Sequence, residues 1–475
     1  VTQHTELSSL RNYRNDFNPL RIQYMTGILR KYKEEYRKLL QLGGPILVTQ
    51  LSVIVFAFSD TIMVGHYSVN ALAAAAFVNS LFLVPNVMMM GLASGVTPLV
   101  GALYSQQRYS EAGSITRGSL QVNIVMALIC TLIMGLMYFL LPYMGQAPEL
   151  LPQIQSYYLV LMLMPVPMAI YNVLAQSSNG IEYTSVPMWV TVGGILLNIF
   201  GNWVLIYGKL GFPEMGLLGA GIATVFGRVV GMAAMWTAFR KLHRYRDYQG
   251  GFTERCRRGA ERVKAWKTSW PLMLQSGAEC VLWTVGAVVV GWFGPVQLAA
   301  YQVVNTISQL GFMVFMSFAS AVAIRVAYYA GLRNEQGAGA VARAGLHINL
   351  VLATIASLVF ILFAEPLINV FINTSAEGAK GVEVIASATA LILPLVVYQY
   401  FDASQLTFCN AIRGTGQVKY LLWISVTSYI AVGIPLLMLF AVGFGGGNLG
   451  AYWSFNVALL CASLMSLRYF RRIRL

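Results

Sequence analysis

The chain holds 475 residues, 57% of them hydrophobic and only 11% charged, where soluble domains carry about 25% charged residues. So few ionisable groups cannot cover a water-soluble globule of this size, and a mean hydropathy of +0.63 makes lipid the natural solvent. Thirty-two Lys and Arg against 18 Asp and Glu leave +14, but these charges punctuate apolar runs, which argues for membrane topology and against a nucleic-acid partner.

Residues 1–42 are polar and basic and lack the apolar core of a cleaved secretion signal, so the first apolar run is expected to be a true span. Apolar runs then fall at 43–65, 76–103, 120–142, 155–178, 186–208 and 216–239, and again at 269–293, 298–331, 344–368, 384–412, 419–442 and 448–467. A transmembrane helix needs about 20 such residues, whereas a barrel strand needs about 10 and alternates in polarity. The expected fold is an all-α integral membrane protein with twelve transmembrane helices in two pseudo-symmetric six-helix lobes, 43–239 and 269–467. A basic linker, 240–268, joins the lobes, and basic segments, 1–42 and 468–475, flank them.

With both ends on one side, 28 Lys and Arg lie on that side and only Lys209 and Lys380 opposite, while Arg228 and Arg325 fall inside spans. The positive-inside rule therefore assigns both termini and the linker to the cytoplasm of a multi-pass inner-membrane protein; a lipid-facing basic patch is the lesser reading of the same charges. Cys130, Cys256, Cys280, Cys409 and Cys461 are scattered without metal-ligand spacing, so no disulfide framework is expected.

The halves repeat. At an offset of 226 residues, Pro45 matches Pro271, Gly65 matches Gly291, Leu72 matches Leu298, Asn79 matches Asn305 and Ser94 matches Ser320. The register then moves to 231, matching Asn179 with Asn410, Ile181 with Ile412, Thr184 with Thr415 and Gly219 with Gly450. Six spans separate the copies, so both halves share one orientation and are related by an axis along the membrane normal, enclosing a cleft of the kind transporters use for substrate.

Asp60, Glu279 and Asp402 interrupt apolar spans. An acid at a helix centre costs about 2.5–3.5 kcal/mol to insert, so it faces protein or a wet cavity and marks an ion or proton route. At ~1.5 Å per residue, Glu279 lies ~18 Å from Lys267 and Asp402 ~16 Å from the anchor Arg413, both close to the midplane of a ~30 Å core. One cavity of the second half could then hold both, sharing a proton or a sodium ion, while Asp60 belongs to the first half. In the alternative, structural reading, each acid is neutral or hydrogen-bonded across a helix contact and only holds the packing.

Polar neighbours recur at helical spacing. Tyr398 precedes Asp402 by one turn, and Asn198 and Asn202 stand one turn apart where their amides could serve Asp60. Packing remains open for Tyr398, as does helix-to-helix bonding for the Asn pair. Met88 to Met90 are read as core or lipid-facing before they are read as a drug pocket. Intramembrane prolines, Pro165, Pro167 and Pro394 among them, permit bends.

Phe58-Ser59-Asp60-Thr61-Ile62-Met63-Val64-Gly65 after Pro45, Pro271 with Glu279, Ala319 through Val326, Tyr207 through Gly211, and Tyr398 through Asp402 together resemble the NorM-type branch of the multidrug and toxic compound extrusion (MATE) family, over residues 40–465. The resemblance implies an efflux antiporter that exports organic cations and amphiphilic toxic compounds by alternating access in exchange for Na+ or H+. It needs no cofactor beyond that ion and works as a monomer in membrane lipid. It also implies that Glu279 and Asp402 are the cation-site acids of the second lobe, a possible Na+ site, with Tyr398 beside them. Asp60 is the matching first-lobe acid, and Asn198, Asn202 and Thr224 form its polar cluster. Some members carry an acid where this chain has Asn202, which favours sodium over a proton held by paired acids.

Two rivals remain. A lipid-linked precursor flippase shares the architecture but calls for a more cationic cavity than Arg228 and Arg325 provide. A membrane-embedded enzyme is disfavoured because His4, His66, His243 and His347 form no ligand pair and no nucleophile motif or phosphate loop is visible.

Overall fold

The computed structural model describes residues 19–253, 259–371 and 374–474, without the side chains of 19–31 and 374–379. Cys256 and the basic residues at 1–18 and 255–258 fall outside the described residues. Among the described residues all regular structure is helical.

Twelve helical units follow in chain order: α1 Pro19–Tyr67, α2 Val69–Ser105, α3 Tyr109–Tyr138, α4 Leu151–Leu161 with Pro165–Gly180, α5 Ser185–Ile206 and α6 Gly216–Lys241. The second set is α7 Ala260–Gly291, α8 Pro295–Gly331, α9 Glu335–Leu362, α10 Thr374–Ala390 with Ile392–Gly414, α11 Lys419–Gly443 and α12 Gly447–Phe470. Ten are long and apolar enough to cross a bilayer, and twelve if the bent helices α4 and α10 each count as one span. The two bends are equal, 41° each. Pro165 and Pro167 open the second half of α4, and Pro394 sits in the first turn of the second half of α10. There the missing N–H and the ring clash break the hydrogen-bond ladder.

α1 begins at Pro19, well ahead of the apolar run that starts at residue 43. Its polar first half is amphipathic: Leu39 and Leu42 are buried against Val322 and Val326 of α8. Pro45 and Pro271 lie inside α1 and α7 at matching positions.

The duplication read in the sequence is present in the packing. In the first lobe α2 meets α4, α3 meets α4, α1 meets α5 and α5 meets α6. In the second lobe α8 meets α10, α9 meets α10, α7 meets α11 and α11 meets α12. Matched residues make matched contacts. A Cβ on Gly219 would lie 2.6 Å from the Leu205 carbonyl, and one on Gly450 would strike the carbonyl of Phe440, so the sixth helix of each lobe packs backbone to backbone on the fifth. Leu132, Leu136, Trp189 and Ile355 are exposed on outer faces, as lipid-facing side chains are.

Between the lobes, α2 packs on α7 and α1 on α8, the pairing a two-fold axis requires. Side-chain contacts that join the lobes cluster at one end. Gln106 Nε2 donates to the Gly331 carbonyl at 2.8 Å, Tyr36 bonds His347 at 2.7 Å, and Arg325 meets Glu35 and Glu182. At the other end of the same helices the polar contacts stay within a lobe. Tyr207 donates to the Met63 carbonyl at 2.9 Å, and the Asn448 N–H to Gln297 at 3.0 Å. Val55, Phe58 and Ile62 of α1 are exposed at that end. The lobes are thus joined where the basic segments lie.

Candidate functional site

Asp60 lies on the second half of α1, one face of which packs on α5. Asn202 Nδ2 donates to Asp60 Oδ1 at 2.9 Å and to Asn198 Oδ1 at 3.3 Å; Asn198 Nδ2 donates in turn to Thr224 Oγ1 at 3.2 Å. One amide therefore serves two acceptors, and the chain Asp60–Asn202–Asn198–Thr224 crosses from α1 through α5 to α6. The i, i+4 spacing of the two Asn side chains puts both on the α5 face turned inward, where they are 3% and 0% exposed. Tyr157 of α4 lies within electrostatic range of Asp60. All four first-lobe residues expected from the sequence come together.

In the second lobe, Asp402 is 2% exposed on α10, and its Oδ2 has no hydrogen-bond partner among the described residues. Glu279 of α7 lies within electrostatic range of Asp402, and Tyr398 lies in range of both acids. The Tyr398 ring meets Trp283 edge to face at 5.7 Å, and Trp283 packs on Phe455 at 4.8 Å, so an aromatic wall stands beside the carboxylates. Gln405, one turn beyond Asp402, donates to Tyr429 at 2.9 Å, and its own buried Oε1 has no partner among the described residues. The buried Oε1 of Gln275, one turn before Glu279, likewise has no partner among the described residues.

These donors are all oxygens: two carboxylates, neutral amide oxygens and phenols. Such a set suits a hard monovalent cation or a proton, while the thiols of Cys280 and Cys409 also lie within electrostatic range of Glu279. Among the described residues no group of three or more His, Cys, Asp or Glu could hold a metal ion; the negative charge is confined to the Glu279–Asp402 pair.

Three features escaped the sequence reading. Arg413, read as a cytoplasmic anchor, stands in the last turn of α10 within electrostatic range of Glu279. Tyr429 is drawn inward (1% exposed) on a π-helical stretch, Val426–Gly433, whose hydrogen bonds span one residue more than those of an α-helix. Gln275 and Gln405 carried a signal, since an amide in an apolar run one turn from an acid is costly unless it is used.

Residues 45–204 and 271–439 match the MatE family profile, once in each lobe. The chain belongs to the MatE family. It is 26% identical over 461 residues to a protein from Mesorhizobium japonicum named probable multidrug resistance protein NorM, covering 94% of this chain and 95% of that one. A protein of the same name from Rhizobium meliloti is 25% identical, covering 92% and 94%. Among solved structures, the outward-facing conformation of a multidrug resistance MATE transporter superposes with a TM-score of 0.82 at 18% identity, covering 92% of this chain and 95% of that one. A eukaryotic MATE transporter gives 0.80 at 18%, covering 93% and 97%. The relatives are transporters, not enzymes, and this chain is a MATE-family multidrug transporter of NorM type with two related six-helix lobes.

Proposed function

We propose that this transporter is an antiporter that exports organic cations and amphiphilic toxic compounds, driven by inward Na+ or, alternatively, H+, as a monomer in the inner membrane with both termini cytoplasmic. The observation that carries the reading is the pair Glu279 and Asp402, which lie within electrostatic range of each other beside the Tyr398–Trp283 wall. Two carboxylates within electrostatic range of each other lower their mutual repulsion by taking up one positive charge. A coupling ion and an organic cation therefore compete for the same acids, and binding of one favours release of the other, a reciprocal coupling that needs no covalent step.

In this reading Asp60 is the first-lobe coupling acid, and Asn198, Asn202 and Thr224 hold its hydrogen-bond chain. Tyr398 offers a ring face to the drug cation. The joined end of the lobes carries the basic residues, so the positive-inside rule makes it cytoplasmic and turns the cleft outward. The flippase alternative draws on Arg228 alone, because Arg325 is taken up by Glu35 and Glu182.

Expression of Asp402→Asn and Glu279→Gln in an efflux-deficient host tests the site. Each variant should reach the membrane at wild-type levels and confer no drug resistance. Full resistance from both would remove the acids from the mechanism.

A further inference from the structure

Residues 403–475 contain six Lys and Arg and no Asp or Glu. Five of the six gather at one corner of the second lobe: Lys419 opens α11, Arg468 stands in the last turn of α12, and Arg471, Arg472 and Arg474 follow it. All five are exposed. Among the described residues none of them takes part in an ion pair or lies over an aromatic ring. The corner belongs to the end at which the lobes join, since Phe470 packs with Leu39 and Val341. The C-terminus of α12 offsets only about half a unit charge, so most of this positive charge has no counter-charge among the described residues.

The bases are held in place. Tyr469 donates to Gln417 Oε1 at 2.9 Å, and Gln417 Nε2 donates to the Arg474 carbonyl at 3.2 Å, so the segment after α12 folds back on the loop before α11. The Tyr420 and Tyr469 rings lie with centroids 4.0 Å apart, and Phe470 and Ile473 pack on the second-lobe core. A ligand that meets these bases therefore has little backbone left to order. The first lobe provides a contrast. The 231 offset matches Arg471 with Arg240 and Arg472 with Lys241. There the Arg240 guanidinium lies over Trp236 at 5.4 Å and over Phe252 at 5.6 Å, the second ring being supplied by the linker helix Arg246–Thr253. The same two bases recur, met by the linker in one lobe and open in the other.

Apolar neighbours select the partner. Trp453, Val457 and Leu464 form an exposed stripe along α12, and at about 3.6 residues per turn Arg468 and Arg471 continue it. Tyr420 and Trp423 are exposed beside it on α11, at the level where amphipathic rings sit between hydrocarbon and headgroups. From this geometry we propose that the α11–α12 corner binds the headgroup phosphate of an anionic phospholipid, whose acyl chains lie along the α12 stripe. The arginines present forked N–H pairs that suit phosphate oxygens, and a basic cluster beside a span attracts anionic lipid. A soluble anion would use the bases alone and gain nothing from Trp423 or Leu464. The site is separate from the buried acids and does not depend on antiport.

The purified full chain in dodecyl maltoside is titrated with dioctanoyl-phosphatidylglycerol, dioctanoyl-phosphatidylcholine and inorganic phosphate, and binding is read by microscale thermophoresis. Salt at about 0.15 M screens diffuse charge beyond about 8 Å. The wild type should bind the glycerol lipid about tenfold more tightly than the choline lipid, and inorganic phosphate more weakly than the glycerol lipid. Arg471→Gln with Arg472→Gln should abolish the preference, whereas Arg240→Gln with Lys241→Gln, the matched pair of the first lobe, should keep it in full. Arg471→Lys with Arg472→Lys, which keeps the charge and loses the fork, should show a reduced preference and carries the test should the glutamine pair fail to fold. No preference in the wild type, or a full preference surviving either change at 471 and 472, would overturn the proposal. So would an equal loss in the first-lobe pair, which would mean attraction to the basic face as a whole. Inorganic phosphate binding as tightly as the glycerol lipid would make this a free-anion site and the lipid assignment wrong. No ion gradient enters, so a failure of antiport would leave these results as they stand.

Discussion

Arg325 of α8 donates from Nη1 to Glu182 Oε1 at 2.6 Å across the lobe boundary, while its Nε and Nη2 reach Glu35 at 3.2 and 3.1 Å. Tyr329 adds a hydrogen bond to Glu35 at 2.5 Å. The three charged side chains are 6%, 13% and 2% exposed, for Arg325, Glu182 and Glu35. One cation thus holds two acids, Glu35 from the amphipathic start of α1 and Glu182 from the turn between α4 and α5, and the clamp sits at the end where the lobes join.

Removal of the shared partner should cost more than removal of either acid. Arg325→Met leaves two buried carboxylates facing each other, a loss of about 3–5 kcal/mol, whereas Glu182→Gln keeps the Glu35 contact. The thermal midpoint of purified protein should fall further for Arg325→Met than for Glu182→Gln. Equal midpoints would mean that the lobes are held mainly by apolar contacts such as Gly101 on Ala327.

The first-lobe chain depends on one amide. Asn202→Ala strips Asp60 and Asn198 of the same donor, and each buried group left unmatched costs about 1–3 kcal/mol. Thr224→Val, at the far end of the chain, removes only the acceptor of Asn198. Thermal unfolding in detergent should rank Asn202→Ala well below Thr224→Val.

Much of this was legible in the sequence because membranes make it so. Long apolar runs mark spans, and Asp60, Glu279 and Asp402 stand out against them. The one-turn spacing of Asn198 and Asn202 points both amides to one face, from which Asn202 donates to Asp60. The clamp was not legible. Glu35 and Glu182 lie in polar stretches where an acid carries no hydropathy penalty, and their convergence on Arg325 depends on how two lobes dock. The Pro19 start of α1 was hidden for a related reason, since an amphipathic first half has too low a mean hydropathy to read as span. Arg413 reads as an anchor because charge at a span end ordinarily is one, and only the fold brings it within electrostatic range of Glu279.

Gly219 and Gly450 form a matched pair of close approaches, so substitution should give matched results. Alanine at either position drives a methyl into a backbone carbonyl, of Leu205 or Phe440, at a cost of about 1–3 kcal/mol or more. Gly231, whose Cβ would meet nothing within 4 Å, serves as control. Folded yield by size-exclusion chromatography should drop for Gly219→Ala and Gly450→Ala and stay at wild-type level for Gly231→Ala.

Tyr398 separates ring from hydroxyl. Tyr398→Phe keeps the edge-to-face contact with Trp283, so the protein should fold normally and retain organic-cation binding. Tyr398→Ala opens a cavity costing about 3–5 kcal/mol and should lose both. Equilibrium binding of a radiolabelled organic cation to the two purified variants checks this.

The most direct measurement is efflux of a fluorescent organic cation from proteoliposomes under an imposed Na+ gradient, an imposed H+ gradient, or neither, for the wild type and for Asp402→Asn. Gradient-driven efflux by the wild type with one of the two ions, lost in Asp402→Asn, is the predicted result. Efflux by the wild type that is indifferent to both gradients, or that persists undiminished in the variant, would contradict exchange at the buried acids.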